Sequence, residues 1–215
     1  MNQPIEVHKA KSDVIVINYP GYNGDINGWA NKYMKLADFM VTNGIGAVVR
    51  TSNLAVSGLD FAEFSKTHLR RVIRYTLNSS SDICGKNNPE IYLVGYSAGA
   101  GVIASVAHEF PEVKKILLVA PSGDAGMESI RNGLAKFIGD VSITVGEKDE
   151  VVGVSVGRTF YDLATSASTI RLRKVPDCDH QFRGETNGMI LSKAMLWAFK
   201  NDKTYPSPDG GIKLY

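Results

Sequence analysis

Three residues in this chain have the types and order needed to move an acyl group through a serine. Ser97 sits in Gly95-Tyr96-Ser97-Ala98-Gly99, a G-x-S-x-G pattern. A serine hydroxyl is a poor nucleophile at neutral pH and needs a base beside it. The chain has four histidines. His8 precedes the first core strand, and His68 and His108 fall within predicted helices. Only His180 falls in a loop after a late strand, from which it can return over the sheet edge. An acid should follow a strand between Ser97 and His180. Asp149, in Gly146-Glu147-Lys148-Asp149-Glu150, does so, with Asp124 and Glu150 as alternatives.

The G-x-S-x-G pattern is weak alone and gains meaning from context. Here it follows the apolar run Ile91-Tyr92-Leu93-Val94 and opens a helical pattern from Ala98. In so tight a strand-to-helix turn the serine takes a strained conformation, and side chains at positions 95 and 99 would collide with the neighbouring strand and helix. The Ala98 amide then lies at a helix N-terminus, where unpaired N–H groups favour negative charge. A second donor for an oxyanion is expected from Pro20-Gly21-Tyr22-Asn23-Gly24, through the Tyr22 amide. Tyr22 and Tyr96 are candidate substrate contacts, with Leu54, Met127 and Val151 as further pocket linings.

The elements that must hold these residues alternate along the chain. Strands are predicted at Val14 to Asn18, Ala47 to Thr51, Ile91 to Gly95, Ile116 to Ala120, Val141 to Val145 and Thr169 to Val175. Helical periodicity spans Trp29 to Thr42, Phe61 to Leu77, Ala98 to Phe110, Met127 to Ile138, Val154 to Ala167 and Met189 to Phe199. Such alternation predicts an α/β fold with a mostly parallel sheet of six strands and helices on both faces. A seventh strand, Ile5 to His8, is expected at the edge. The stretch between Ala120 and Val141 has room for one helix, so no cap domain is expected. Residues 1–200 read as one domain, and residues 201–215 as an extended arm or flexible tail.

The four segments Asn18-Tyr-Pro-Gly-Tyr-Asn-Gly24, Gly95-Tyr-Ser-Ala-Gly99, Gly146-Glu-Lys-Asp149 and Asp179-His180 resemble the signatures of the α/β-hydrolase superfamily, in the family's order. The resemblance covers the chain from about Val14 to about Phe199, and in its small size the chain is similar to compact esterases, thioesterases and dienelactone-hydrolase relatives. It implies a serine hydrolase that cleaves a carboxylic ester or thioester, with Ser97 as nucleophile, His180 as base and Asp149 as supporting acid. Two departures stand out. Pro20 occupies the position where many members carry His before the Gly, and at most one N-terminal strand precedes the core. An acyltransferase using the same triad and a non-catalytic small-molecule binder on the same fold are the alternatives.

Bulk properties exclude other classes. The 215 residues carry a formal net charge of +2, which gives no reason to expect nucleic acid or an anionic membrane as partner. No apolar run is long enough to span a bilayer, and Met1 to Lys11 lacks the apolar core of a secretory signal. Cys84 and Cys178 form neither a disulfide framework nor a zinc spacing, so a cytoplasmic protein with free thiols is expected. No metal-ligand cluster and no G-x-G-x-x-G after the first core strand is present, so no cofactor is expected. Arg70, Arg71 and Arg74 read as a solvated helix face, Cys178 as a buried inert thiol, and Arg183 as a weak candidate for pairing with an anionic substrate.

Overall fold

The computed structural model describes residues 3–215. Seven strands form one sheet: β1 (Ile5–His8), β2 (Val14–Tyr19), β3 (Ala47–Thr51), β4 (Glu90–Tyr96), β5 (Val113–Val119), β6 (Asp140–Gly146) and β7 (Thr169–Val175). Their order across the sheet is β1-β3-β2-β4-β5-β6-β7. Only β1 runs antiparallel, pairing with β3 at the edge. The central strands are buried on both faces, which is why β2 to β6 read as near-continuous runs of Val, Ile and Leu rather than as alternating patterns.

Seven helices cover the sheet: α1 (Lys32–Thr42), α2 (Phe61–Asn78), α3 (Ser80–Cys84), α4 (Ala98–Val106), α5 (Met127–Lys136), α6 (Val154–Leu163) and α7 (Glu185–Lys200). One core lies between the sheet and α2, α4, α5 and α6, around Ile17, Leu93, Leu118, Val102 and Phe160. The other lies under α1 and α7, around Val16, Val94, Leu36, Met40 and Trp197. Helix α4 is buried along its whole length, so its small residues, Ala98-Gly-Ala-Gly101, allow close approach to the strands.

The chain leaves β2 towards β3 on one side and leaves β4 towards β5 on the other. The connections after β2 and β4 therefore diverge to opposite faces, and a crevice opens at the C-terminal ends of these two strands. Parallel pairing sets Tyr19 beside Gly95, so both loops emerge at the same level. The segment between β5 and β6 holds α5 alone, and no cap domain is present among the described residues.

Helix boundaries differ from the sequence pattern at two places that matter for the site. The first helix does not begin at Trp29. Ala30 and Asn31 have left-handed backbone angles (φ 51° and 60°), so Trp29–Asn31 is a separate 3-10 turn and α1 starts at Lys32. The last helix starts at Glu185 rather than Met189, directly after Gly184 at φ 92°. Residues 201–215 carry no helix or strand, yet Tyr205 and Leu214 are buried, and Lys35 Nζ donates to the Leu214 carbonyl at 3.2 Å.

Candidate active site

Ser97 has φ 51° and ψ −121°, a region that non-glycine residues avoid. The turn that enforces it leaves no space on either side. A Cβ on Gly95 would come within 2.8 Å of the Ala100 backbone, and one on Gly99 would overlap the Pro20 carbonyl oxygen. The two glycines of the pattern are thus required by contact with α4 and with the β2 loop. Gly21 stands close to the same turn: a Cβ there would lie 3.2 Å from the Ser97 Cβ.

Two further loops arrive from the other half of the sheet. Gly146 ends β6 against the loop after β7, where a side chain would overlap the Cys178 carbonyl. The Lys148 amide donates to that carbonyl at 2.8 Å, and the Glu147 amide donates to the Val175 carbonyl at 2.9 Å. The loops carrying Asp149 and His180 are therefore stitched together by backbone hydrogen bonds. Tyr215 adds a tie from the C-terminus, its hydroxyl donating to the Gln181 carbonyl at 2.9 Å.

These four loops bring Ser97, His180 and Asp149 into one chain of hydrogen bonds. His180 Nε2 lies 3.0 Å from Ser97 Oγ, and His180 Nδ1 lies 2.7 Å from Asp149 Oδ2. The other carboxylate oxygen, Oδ1, accepts the Val151 and Val152 amides at 3.0 Å each. The Asp149 side chain has no solvent exposure. Three donors thus converge on one buried carboxylate, which puts the imidazole proton on Nδ1 and leaves the Nε2 lone pair facing the serine hydroxyl.

The alternative acids are placed elsewhere. Asp124 accepts a hydrogen bond from Ser122 Oγ at 2.6 Å, and Glu150 is exposed. Cys178 is fully buried, and burial pushes its thiol up to about 12, so it remains protonated at neutral pH. Among the described residues neither the Ala98 nor the Tyr22 amide donates to another group of the protein; Ala98 directly follows Ser97, and Tyr22 follows Gly21, which stands against the Ser97 turn.

A cavity of about 310 Å³ opens over the serine. Tyr22, Tyr96 and Val151 line it, as the sequence suggests, together with Gly21, Tyr33 and Phe182. Leu54 and Met127 do not line it. Leu54 lies towards the β1 edge, where its carbonyl accepts from Gln3, and Met127 opens α5 with its side chain half-exposed against Gly123. Tyr96 is held by its hydroxyl donating to Asn18 Oδ1 at 3.1 Å, while Tyr22 is exposed and packs on Phe61. Lys32 also lines the cavity, and sequence reasoning missed it. No group of three or more potential metal ligands occurs among the described residues.

No protein-family model and no curated protein sequence matches the chain. Solved structures do. An alpha-beta serine hydrolase homologue from Coxiella burnetii superposes with a TM-score of 0.71 at 21% identity, covering 89% of each chain. The chain has the α/β-hydrolase fold. A dienelactone hydrolase from Anabaena variabilis matches with a TM-score of 0.72 at 15% identity, over 88% of this chain and 87% of that one. An esterase from Pyrococcus furiosus matches at 0.67 and 18%, over 87% and 84%. The alignment covers between 84% and 89% of these three partner chains. No described helix is long and apolar enough to cross a membrane.

Proposed function

We propose that this protein is a serine hydrolase acting on a carboxylic ester or thioester. The observation that carries the reading is the unbroken relay from Asp149 through His180 to a strained Ser97 that faces an open cavity. Ser97 Oγ attacks the substrate carbonyl while His180 Nε2 takes its proton. Asp149 holds the imidazole in the required tautomer and stabilises it once it is charged. The Ala98 and Tyr22 amides receive the developing oxyanion, each contributing on the order of 3 kcal/mol to the transition state. His180 then returns its proton to the leaving group, and water releases the acyl-enzyme. The free Cys84 and Cys178 thiols fit a cytoplasmic setting for this chemistry.

An activated serine is tested with a fluorophosphonate probe and intact mass measurement, with Ser97→Ala as the control. The expected result is a single adduct on the wild type and none on the variant. A folded wild-type protein that takes no adduct would overturn the proposal.

A further inference from the structure

Lys32 is the first residue of α1 and lines the same cavity as Ser97 and His180. Its ammonium lies 5.1 Å from the centre of the Tyr33 ring and 5.7 Å from that of Tyr96. Two aromatic faces stabilise a cation without neutralising it. Among the described residues Lys32 makes no ion pair. Two other largely buried lysines contrast with it: Lys66 pairs with Glu63 at 2.6 Å and Lys193 with Asp202 at 2.8 Å.

The one acid shown to act on Lys32, Asp179, is committed to another partner. Asp179, in the His180 loop, accepts the Arg183 amide at 2.9 Å and the Arg183 guanidinium at 2.6 Å. Asp25, which acts on the neighbouring Tyr33, accepts the Asn27 and Gly28 amides at 2.8 and 2.7 Å. A cation withdrawn from water, without a carboxylate, is costly to keep. Burial lowers the Lys32 ammonium to about 8, with Asp179 opposing the shift, so it is largely charged at neutral pH. The break at Ala30 and Asn31 makes Lys32 the first residue of α1, and its side chain lines the cavity.

We infer that Lys32 is a specificity-determining residue that binds an anionic group, such as a carboxylate, on the ester substrate held at Ser97. The inference rests on the hydrolase reading of that site. The small cavity limits the substrate to a short one, since about 310 Å³ lies at the lower end of ligand-pocket volumes. Lys32 makes no covalent contribution. Its ammonium replaces the water around the substrate anion and fixes the carbonyl over the serine.

The test compares matched charged and neutral esters. On the acyl side these are mono-4-nitrophenyl adipate and its methyl ester; on the leaving-group side, 4-carboxyphenyl acetate and 4-carbamoylphenyl acetate. The wild type is expected to favour the anionic member of at least one pair by about 10-fold or more in kcat/KM. The pair that shows the preference identifies the side on which the anion sits. Lys32→Met retains the apolar stem on the tyrosines and should collapse that ratio towards one, while Lys32→Arg should retain most of it.

The groups facing Lys32 are Tyr33 from its own helix, Tyr96 from β4, and Asp179 and His180 from the loop after β7. Both members of a pair react through the same His180, so its contribution as base cancels in the ratio. The ratio should therefore fall as pH rises through about 8, where Lys32 loses its charge. Turnover of the esters without charge preference, or a preference that survives in Lys32→Met, would overturn this inference alone. No turnover of any ester, together with no labelling at Ser97, would overturn the hydrolase reading and this inference with it.

Discussion

Two histidines in this molecule each lie 3.0 Å from a hydroxyl. His180 Nε2 meets Ser97 Oγ at the C-terminal edge of the sheet, and His68 Nε2 meets Thr51 Oγ1 where α2 covers β3. The distances alone do not distinguish a reacting pair from a structural one. The surroundings do. Thr51 donates its single proton to the Pro4 carbonyl at 2.8 Å, so His68 must be the donor in its contact with Thr51. Its Nε2 therefore has no lone pair to offer that hydroxyl. Thr51 also lies within a strand and is fully buried. At the other site, Asp149 takes the Nδ1 proton, the Nε2 lone pair is free, and a positive φ holds the hydroxyl up into a cavity. The difference is a carboxylate behind the ring and a strained turn beneath the hydroxyl.

The largest expected effect separates the two hydroxyls. On an ester substrate, Ser97→Ala should lower kcat by about 10⁴-fold or more. Thr51→Val removes the other hydroxyl at nearly constant volume. It should leave kcat within about twofold and cost stability on the order of 1–3 kcal/mol for its lost hydrogen bonds. A comparable loss of turnover in both variants would mean that the comparison reports folding, not chemistry.

Asp149→Asn sharpens the role of the carboxylate. The amide can still accept from the Val151 and Val152 amides, so the loop should remain in place. The side-chain NH₂ would then face His180 Nδ1, driving the proton to Nε2 and occupying the lone pair that the serine needs. We expect kcat to fall by about 10⁴-fold with little change in Tm. Turnover within tenfold of wild type would assign the activating role elsewhere.

The sequence made one half of this comparison readable and hid the rest. Ser97 was legible because its turn needs glycine at 95 and 99, a constraint written in neighbouring residues. The strand alternation likewise came from local patterns, but the sheet order did not, since β3 and β4 follow one another in the chain yet lie on either side of β2 in the sheet. His180 and Asp149 could be placed only by order along the chain, since no local pattern records a contact between residues 31 positions apart. Lys32 was invisible for a related reason. Helical periodicity runs unbroken through Trp29 and Tyr33, whereas the helix is interrupted at Ala30 and Asn31. Leu54 and Met127 were expected to line the pocket and do not, since position along the chain does not fix which face a loop turns to. The short helix Ser80–Cys84 had too few residues to show a period.

The smallest effect concerns the structural histidine. Burial is the main cause lowering His68 from its ordinary 6.5 to about 4. Between these values the unfolded chain binds a proton that the folded chain refuses, so stability rises with pH in this window and is lost as pH falls from about 6.5 to about 4. With the residue only 8% exposed, the loss should be on the order of 3 kcal/mol. Urea unfolding of the wild type and of His68→Gln at pH 7, 5.5 and 4.5 isolates this contribution from that of His108, which burial also lowers. The wild type should lose more stability than the variant across that series. Parallel curves would mean that His68 accepts a proton in place, and that its environment is more like that of a reacting histidine than the Thr51 contact implies.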